Sequence, residues 1–161
     1  MTMKIRVGFG FDVHQLKSGR PLWLGGIQLE HEKGAVGHSD ADVLIHAICD
    51  ALLGAAGLRD IGFHFPDTSS EFKGIDSKIL LSRVNDLLHQ NGFSIGNIDC
   101  TLVLEQPKIN PHIQRMKETL AGVLKVENSD IAIKATTNEK MGYVGREEGV
   151  CAYAVALIEK N

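Results

Sequence analysis

Apolar and polar residues alternate over residues 4–13 and stop at Asp12-Val13-His14, the period of two expected of a half-buried strand. Short apolar runs at residues 21–24 and 27–29 flank Gly25-Gly26 and read as two short strands about a tight turn. Residues 30–38 are polar and glycine-bearing and read as a loop. The period then becomes helical. Ser39 is placed as the N-cap, with Asp42 three residues on in a capping-box position. This helix runs to about Leu53, with Gly54 and Gly57 as stop signals. Residues 76–90 carry Ile79, Leu80, Val84, Leu87 and Leu88 at helical spacing, and Asn91-Gly92 ends that helix. Residues 93–106 form a strand that Pro107 breaks. A third helix opens at Asn110-Pro111 and reaches about Lys125. Residues 131–137 alternate again, 137–148 form a polar loop, and 149–159 are the last strand.

The order β-β-β-α, loop, α-β-α-β, loop, β predicts an α+β fold: a mixed β-sheet covered on one face by helices. At 161 residues the chain is expected to be one domain spanning 1–161. Residues 58–75 are rich in Gly, Pro, Asp and Ser yet carry Phe63, Phe65 and Phe72. A loop of that length inside a compact domain points to function, and its aromatics argue against disorder.

Composition narrows the classes. A net charge of −3 argues against a broad nucleic-acid surface. No apolar run is long enough to span a membrane. The first residues lack a signal-peptide pattern, so a cytoplasmic protein is expected. Cys49, Cys100 and Cys151 are widely spaced among apolar neighbours and read as buried free thiols. There is no H-E-x-x-H, no G-x-S-x-G and no Walker A pattern, which leaves metalloprotease, serine hydrolase and P-loop NTPase unsupported.

Asp12 and His14 are two apart, so on a strand both side chains point to one face. His46, from the first helix, would complete three ligands of an open divalent site, with one position left for water or substrate. Spacing alone equally allows an exposed Asp-x-His and a satisfied core histidine. Asp42 and Asp50 share the helix face of His46 and are candidate acceptors for its second ring N–H; a solvated acidic face explains them as well. His38-Ser39, placed at the helix N-terminus, reads as an anion site or as simple capping. Glu139, in the 134–140 segment, reads as a ligand for a hard cation or as part of a polar turn.

Several blocks together resemble the 2-C-methyl-D-erythritol 2,4-cyclodiphosphate synthase family. They are residues 8–14, His38-Ser39-Asp40-Ala41-Asp42-Val43 with His46, residues 50–55, Asp60-Ile61-Gly62 with Phe65-Pro66-Asp67-Thr68, Phe72-Lys73-Gly74, and Lys134-Ala135-Thr136-Thr137 with Glu139-Lys140 and Gly142. Their order and spacing cover almost the whole chain.

The resemblance implies cyclisation of 4-diphosphocytidyl-2-C-methyl-D-erythritol 2-phosphate with release of CMP. It implies zinc on Asp12, His14 and His46, and magnesium or manganese on Glu139. His38 and Thr137 would stabilise the transition state. Asp12, Val13, His14, His38 and Ser39 would meet substrate; Asp60, Ile61, Gly62, Phe65, Pro66, Asp67, Thr68 and Ser69 would hold the methylerythritol part. The cytidine pocket would be Leu104, Glu105, Gln106, Pro107, Lys108, Ile109 and Asn110 with Ala135, Thr136, Thr137, Asn138 and Glu139. Tyr143 and Arg146 match the remaining contacts. The family is a homotrimer with shared active sites. Asn138, Tyr143 and Glu147 depart from the commoner Thr, Phe and Gly. A metal-dependent phosphohydrolase and a trimeric nucleotide- or diphosphate-binding module without turnover are the alternatives.

Overall fold

The computed structural model describes residues 4–161. Strand β1 is Lys4–Ser18, β2 Leu22–Leu24, β3 Ile27–Leu29 and β4 Lys33–Val36. Helix α1 (Val43–Ala56) and a single turn α2 (Ile61–His64) precede α3 (Ser77–Gln90). Strand β5 (Phe93–Val103), helix α4 (Ile113–Leu124), β6 (Ile131–Thr136), the turn α5 (Gly142–Gly145) and β7 (Gly149–Lys160) complete the chain. The main sheet has the order β4-β1-β7-β5-β6; only β5 and β6 run parallel, and β2–β3 form a separate hairpin. Helices cover one face, as the periodicity predicts.

The alternation along β1 is inverted from the usual core strand. Gly8, Gly10, Asp12, His14 and Leu16 face the helices, while Ile5, Val7, Phe9, Phe11 and Val13 face outward and stay exposed. A Cβ on Gly8 would lie 1.9 Å from the Ala51 carbonyl oxygen, and one on Gly10 1.9 Å from that of Ala47. α1 therefore rests directly on the strand backbone. On the next strand Ala152, Ala154 and Ala156 sit opposite Asp12, Gly10 and Gly8 and extend the shallow bed. α1 buries eleven of its fourteen residues, because α3 covers it from the other side.

Several boundaries differ from the reading by pattern. β1 continues past residue 13 to Ser18 because its last residues pair with β4, which lies in the expected 30–38 loop. That short polar segment has no alternation; its extended state comes from the ladder it joins. Asp42, not Ser39, caps α1 by accepting the Ile45 N–H, and the helix passes through Gly54 to end at Gly57 in the left-handed region. Asp42 is fully buried and also accepts the Gly25 and Gly26 N–H groups at 3.0 and 2.7 Å, tying the β2–β3 turn to the helix. β5 stops at Val103, three residues short of the expected end. The three cysteines are buried free thiols, as expected. Burial pushes Cys100 up to about 12 and Cys49 well above its usual value, so neither supplies a thiolate.

Gly10→Ala should destabilise the protein by about 3 kcal/mol, since the methyl meets backbone that cannot yield. Gly54→Ala, where open space surrounds the position, should stabilise by about 0.5–1 kcal/mol. Urea unfolding at one protein concentration checks both; equal effects would refute the close-approach argument.

Candidate metal centre and active site

β1 carries Asp12 and His14 to the helix-facing side, and α1 brings His46 down onto them. His14 Nε2 lies 2.8 Å from Asp12 Oδ2, His46 Nδ1 lies 3.0 Å from the same oxygen, and the two ring nitrogens are 3.2 Å apart. Ligand atoms in so small a triangle can each reach one common ion at about 2 Å. Among the described residues these three are the one such group of His, Cys, Asp or Glu side chains. His14 donates Nδ1–H to the Val36 carbonyl at 3.0 Å. A carbonyl can only accept, so in the neutral ring Nε2 carries the lone pair, and in the protonated ring it donates to Asp12. The donor set of two imidazoles and one carboxylate suits a borderline cation such as zinc.

The second nitrogen of His46 does not meet Asp42 or Asp50. It lies 2.9 Å from Ser77 Oγ and 3.1 Å from Ser39 Oγ. Asp42 serves the α1 cap, and Asp50 accepts the Ile61 N–H at 2.8 Å. Sequence pattern gives Ser77 no role. It stands 31 residues beyond His46, and no spacing signal connects the two.

The Asp12, His14 and His46 group borders a cleft of about 400 Å³ lined by His14, Gly37, His38, Ser39, His46, Ile61, Gly62, Phe65, Asp67, Phe72 and Leu80. The 58–75 segment forms its wall and is ordered by its own devices. Asp60 caps α2, Ser69 caps a 3-10 turn at Ser70–Phe72, and the Phe65 and Phe72 rings pack edge-to-face at 5.5 Å. His38 donates Nε2–H to the Ser69 carbonyl at 2.9 Å, so its place is set by that wall. His38 and Ser39 precede the helix by several residues. The buried Asp42 carboxylate already occupies the α1 N-terminus, so the anion reading of that helix end is not carried by the geometry.

A second cleft, of about 390 Å³, is lined by Leu104, Glu105, Gln106, Pro107, Lys108, Ile109, Asn110, Ala135, Thr136 and Thr137. Glu105 Oε1 accepts the N–H groups of Asn138 and Lys140 at 2.9 and 3.2 Å. It thereby grips the chain on both sides of Glu139, which sits at φ 52°. Asn138 donates its side-chain amide to the Met141 carbonyl at 2.7 Å and closes the loop. Thr137 Oγ1 accepts the Glu139 N–H. No residue lines both clefts, and Glu139, Tyr143 and Arg146 line neither. Arg146 pairs with Glu148 on the surface.

The match of this geometry to known proteins is extensive. A model of the YgbB family matches residues 5–159. The chain belongs to the YgbB family. It is 66% identical to the 2-C-methyl-D-erythritol 2,4-cyclodiphosphate synthase of Cytophaga hutchinsonii over 98% of this chain and 99% of that protein. Against the synthase of Porphyromonas gingivalis it is 65% identical over 98% of each. Among solved structures, the bifunctional IspDF of Campylobacter jejuni superposes with a TM-score of 0.96 at 40% identity. That match covers 99% of this chain and 43% of IspDF, so the YgbB chain spans less than half of that protein. The Plasmodium falciparum IspF CDP complex gives 0.87 at 30% identity, covering 100% of this chain and 99% of that one.

Burial raises the Asp12 pKa, but hydrogen bonds and charge from His14 and His46 outweigh it and hold the carboxyl at about 2. Burial lowers that of His14, but the bond and charge of Asp12 and the Val36 carbonyl raise it above 6.5. In metal-free protein the Asp12 contribution to stability is therefore present above 3.8 and lost as pH falls from there towards 2. The His14 contribution is full below 6.5 and lost as pH climbs through the raised value. Asp12→Asn should flatten both limbs in urea unfolding with chelator present. An unchanged acid limb would rule out this pair as its source.

Proposed function

We infer that this chain is a 2-C-methyl-D-erythritol 2,4-cyclodiphosphate synthase. The observation that carries the reading is the convergence of Asp12, His14 and His46 beside a cleft, in a chain matching named synthases end to end. The substrate is 4-diphosphocytidyl-2-C-methyl-D-erythritol 2-phosphate. Its 2-phosphate oxygen bonds to the β-phosphorus, the bond from that phosphorus to the bridging oxygen breaks, and CMP leaves with the electron pair. No water enters the product.

Such a transfer needs alignment and charge neutralisation more than covalent help. A divalent ion held by Asp12, His14 and His46, zinc by the donor set, supplies Lewis-acid polarisation of a phosphate oxygen. Ser39 presents its hydroxyl to the same cleft. His38, seated by Ser69, is positioned to stabilise charge on the transferring phosphoryl group, and Thr137 does so from the second cleft. Asp60, Ile61, Gly62 and the 65–69 wall hold the methylerythritol part. Residues 104–110 and 135–139 take the cytidine end, chiefly through backbone groups. Glu139 has no carboxylate or imidazole partner in the metal group, so magnesium or manganese there would complete its shell with substrate phosphates.

The two clefts suit a site closed between copies of the chain. The exposed apolar face of β1 and β7, with Ile5, Val7, Phe9, Phe11, Val13, Tyr153 and Val155, is where those copies would meet, as a homotrimer. Patches of this kind on a soluble protein mark interaction surfaces. The reading includes a cytoplasmic enzyme acting on free small molecules.

His46→Ala should bind zinc at least 100-fold more weakly and release CMP at least 100-fold more slowly; turnover like the wild type would refute the metal assignment. Product formed in ¹⁸O water should carry no label, whereas label would make the protein a phosphohydrolase. Sedimentation should give three times 17.5 kDa, 52.5 kDa, and Phe9→Lys with Val7→Lys should yield monomer. A native monomer would refute the trimer.

A further inference from the structure

The polar network behind His46 has a direction. The Asp40 carboxylate receives two groups of Ser77: Oδ2 accepts the backbone N–H at 2.9 Å, and Oδ1 accepts the hydroxyl in a short bond. Ser77 is fully buried at the start of α3. A carboxylate accepts and does not donate, so the Ser77 hydroxyl proton is committed to Asp40. Ser77 Oγ is left with lone pairs towards His46 Nε2, 2.9 Å away. It can meet that nitrogen only by accepting from an Nε2–H. Ser39 Oγ, 3.1 Å from the same nitrogen and 3.5 Å from Ser77 Oγ, already accepts the Ala41 N–H at 3.2 Å; a protonated Nε2 offers it no acceptor, so its own proton can turn to the cleft.

We propose that Asp40, acting through the Ser77 hydroxyl, holds His46 in the Nε2–H tautomer. This keeps the Nδ1 lone pair aimed at Asp12 and turns the Ser39 hydroxyl outward as a donor to substrate phosphate. Asp40 and Ser77 are positioning residues: neither reaches the ion or the cleft chemistry. The relay is the counterpart of the Val36 carbonyl on His14. One ring is locked by a backbone group on β4, the other by a carboxylate that also docks α3. As neutral rings the two imidazoles therefore present lone pairs to a single carboxylate oxygen, an arrangement of three electron-pair donors that suits a cation between them. The inference rests on the reading of Asp12, His14 and His46 as a metal site.

Long-range ¹H–¹⁵N correlation spectra of the histidine-labelled full chain report each ring's tautomer directly. In metal-free protein, His46 should carry its ring proton on Nε2. Ser77→Ala should move it towards Nδ1–H, donating to Asp12, with the Ser39 hydroxyl turned back onto Nε2. Zinc competition against a fluorescent chelator should show affinity about 10-fold weaker in Ser77→Ala and in Asp40→Asn, the range expected for loss of an outer partner of a ligand histidine. A wild-type His46 found as Nδ1–H would overturn the relay, as would Ser77→Ala with unchanged tautomer and unchanged zinc affinity. Failure of the wild type to bind zinc would instead sink the metal reading, while the metal-free tautomer still decides the relay. Should Ser77→Ala not fold, the wild-type spectrum and the Asp40→Asn titration decide it.

Discussion

The backbone-on-backbone contact between β1 and α1 is the constraint on which the site depends. Gly8 and Gly10 leave no room for a single carbon between strand and helix, and Ala47 and Ala51 meet them from above. At this separation a side chain leaving the helix next to Ala47 reaches side chains leaving the strand two and four residues beyond Gly10. His46 then touches Asp12 and His14 without a long reach. A larger residue in the bed would lift α1 and open the ligand triangle, so packing and chemistry share one cause.

The same choice explains the inverted strand. With Gly8, Gly10, Asp12 and His14 at its helix-facing positions, β1 gives the core only Leu16 and turns its other large apolar groups away. Those groups occupy the other face, where Phe9 and Phe11 pack around Tyr153. Core apolar burial comes instead from α1, α3 and the inner residues of β5 and β7. The exposed face is left as apolar surface that a second copy of the chain would remove from water.

Polar atoms around Asp12, His14 and His46 are matched donor to acceptor with little slack. Val36, Ser77, Ser39 and Asp40 each spend a hydrogen-bonding group on ring orientation, while Asp42 and Asp50 spend theirs on holding neighbouring backbone in place. Carboxylates on one helix face thus do different work, because each is met by a different segment of chain.

Local pattern determined much of this protein. Period-two and helical runs located the main strands and helices, and the Asp12-x-His14 spacing placed two side chains on one face, because side-chain direction follows from backbone geometry within a few residues. His46 on the first helix is the third candidate, and the family blocks favour the metal reading over a satisfied core histidine. The short strand β4 leaves no alternating pattern, because its pairing, not its residues, makes it extended. The cap of α1 fell on Asp42 rather than Ser39 because the Gly25–Gly26 turn, sixteen residues upstream, supplies Asp42 with N–H partners. Which hydroxyl meets His46, and which carboxylate stands behind it, was settled by α3 docking on Asp40. Contacts between residues 31 and 37 positions apart leave no periodic trace in the chain; they exist only once packing has closed the distance.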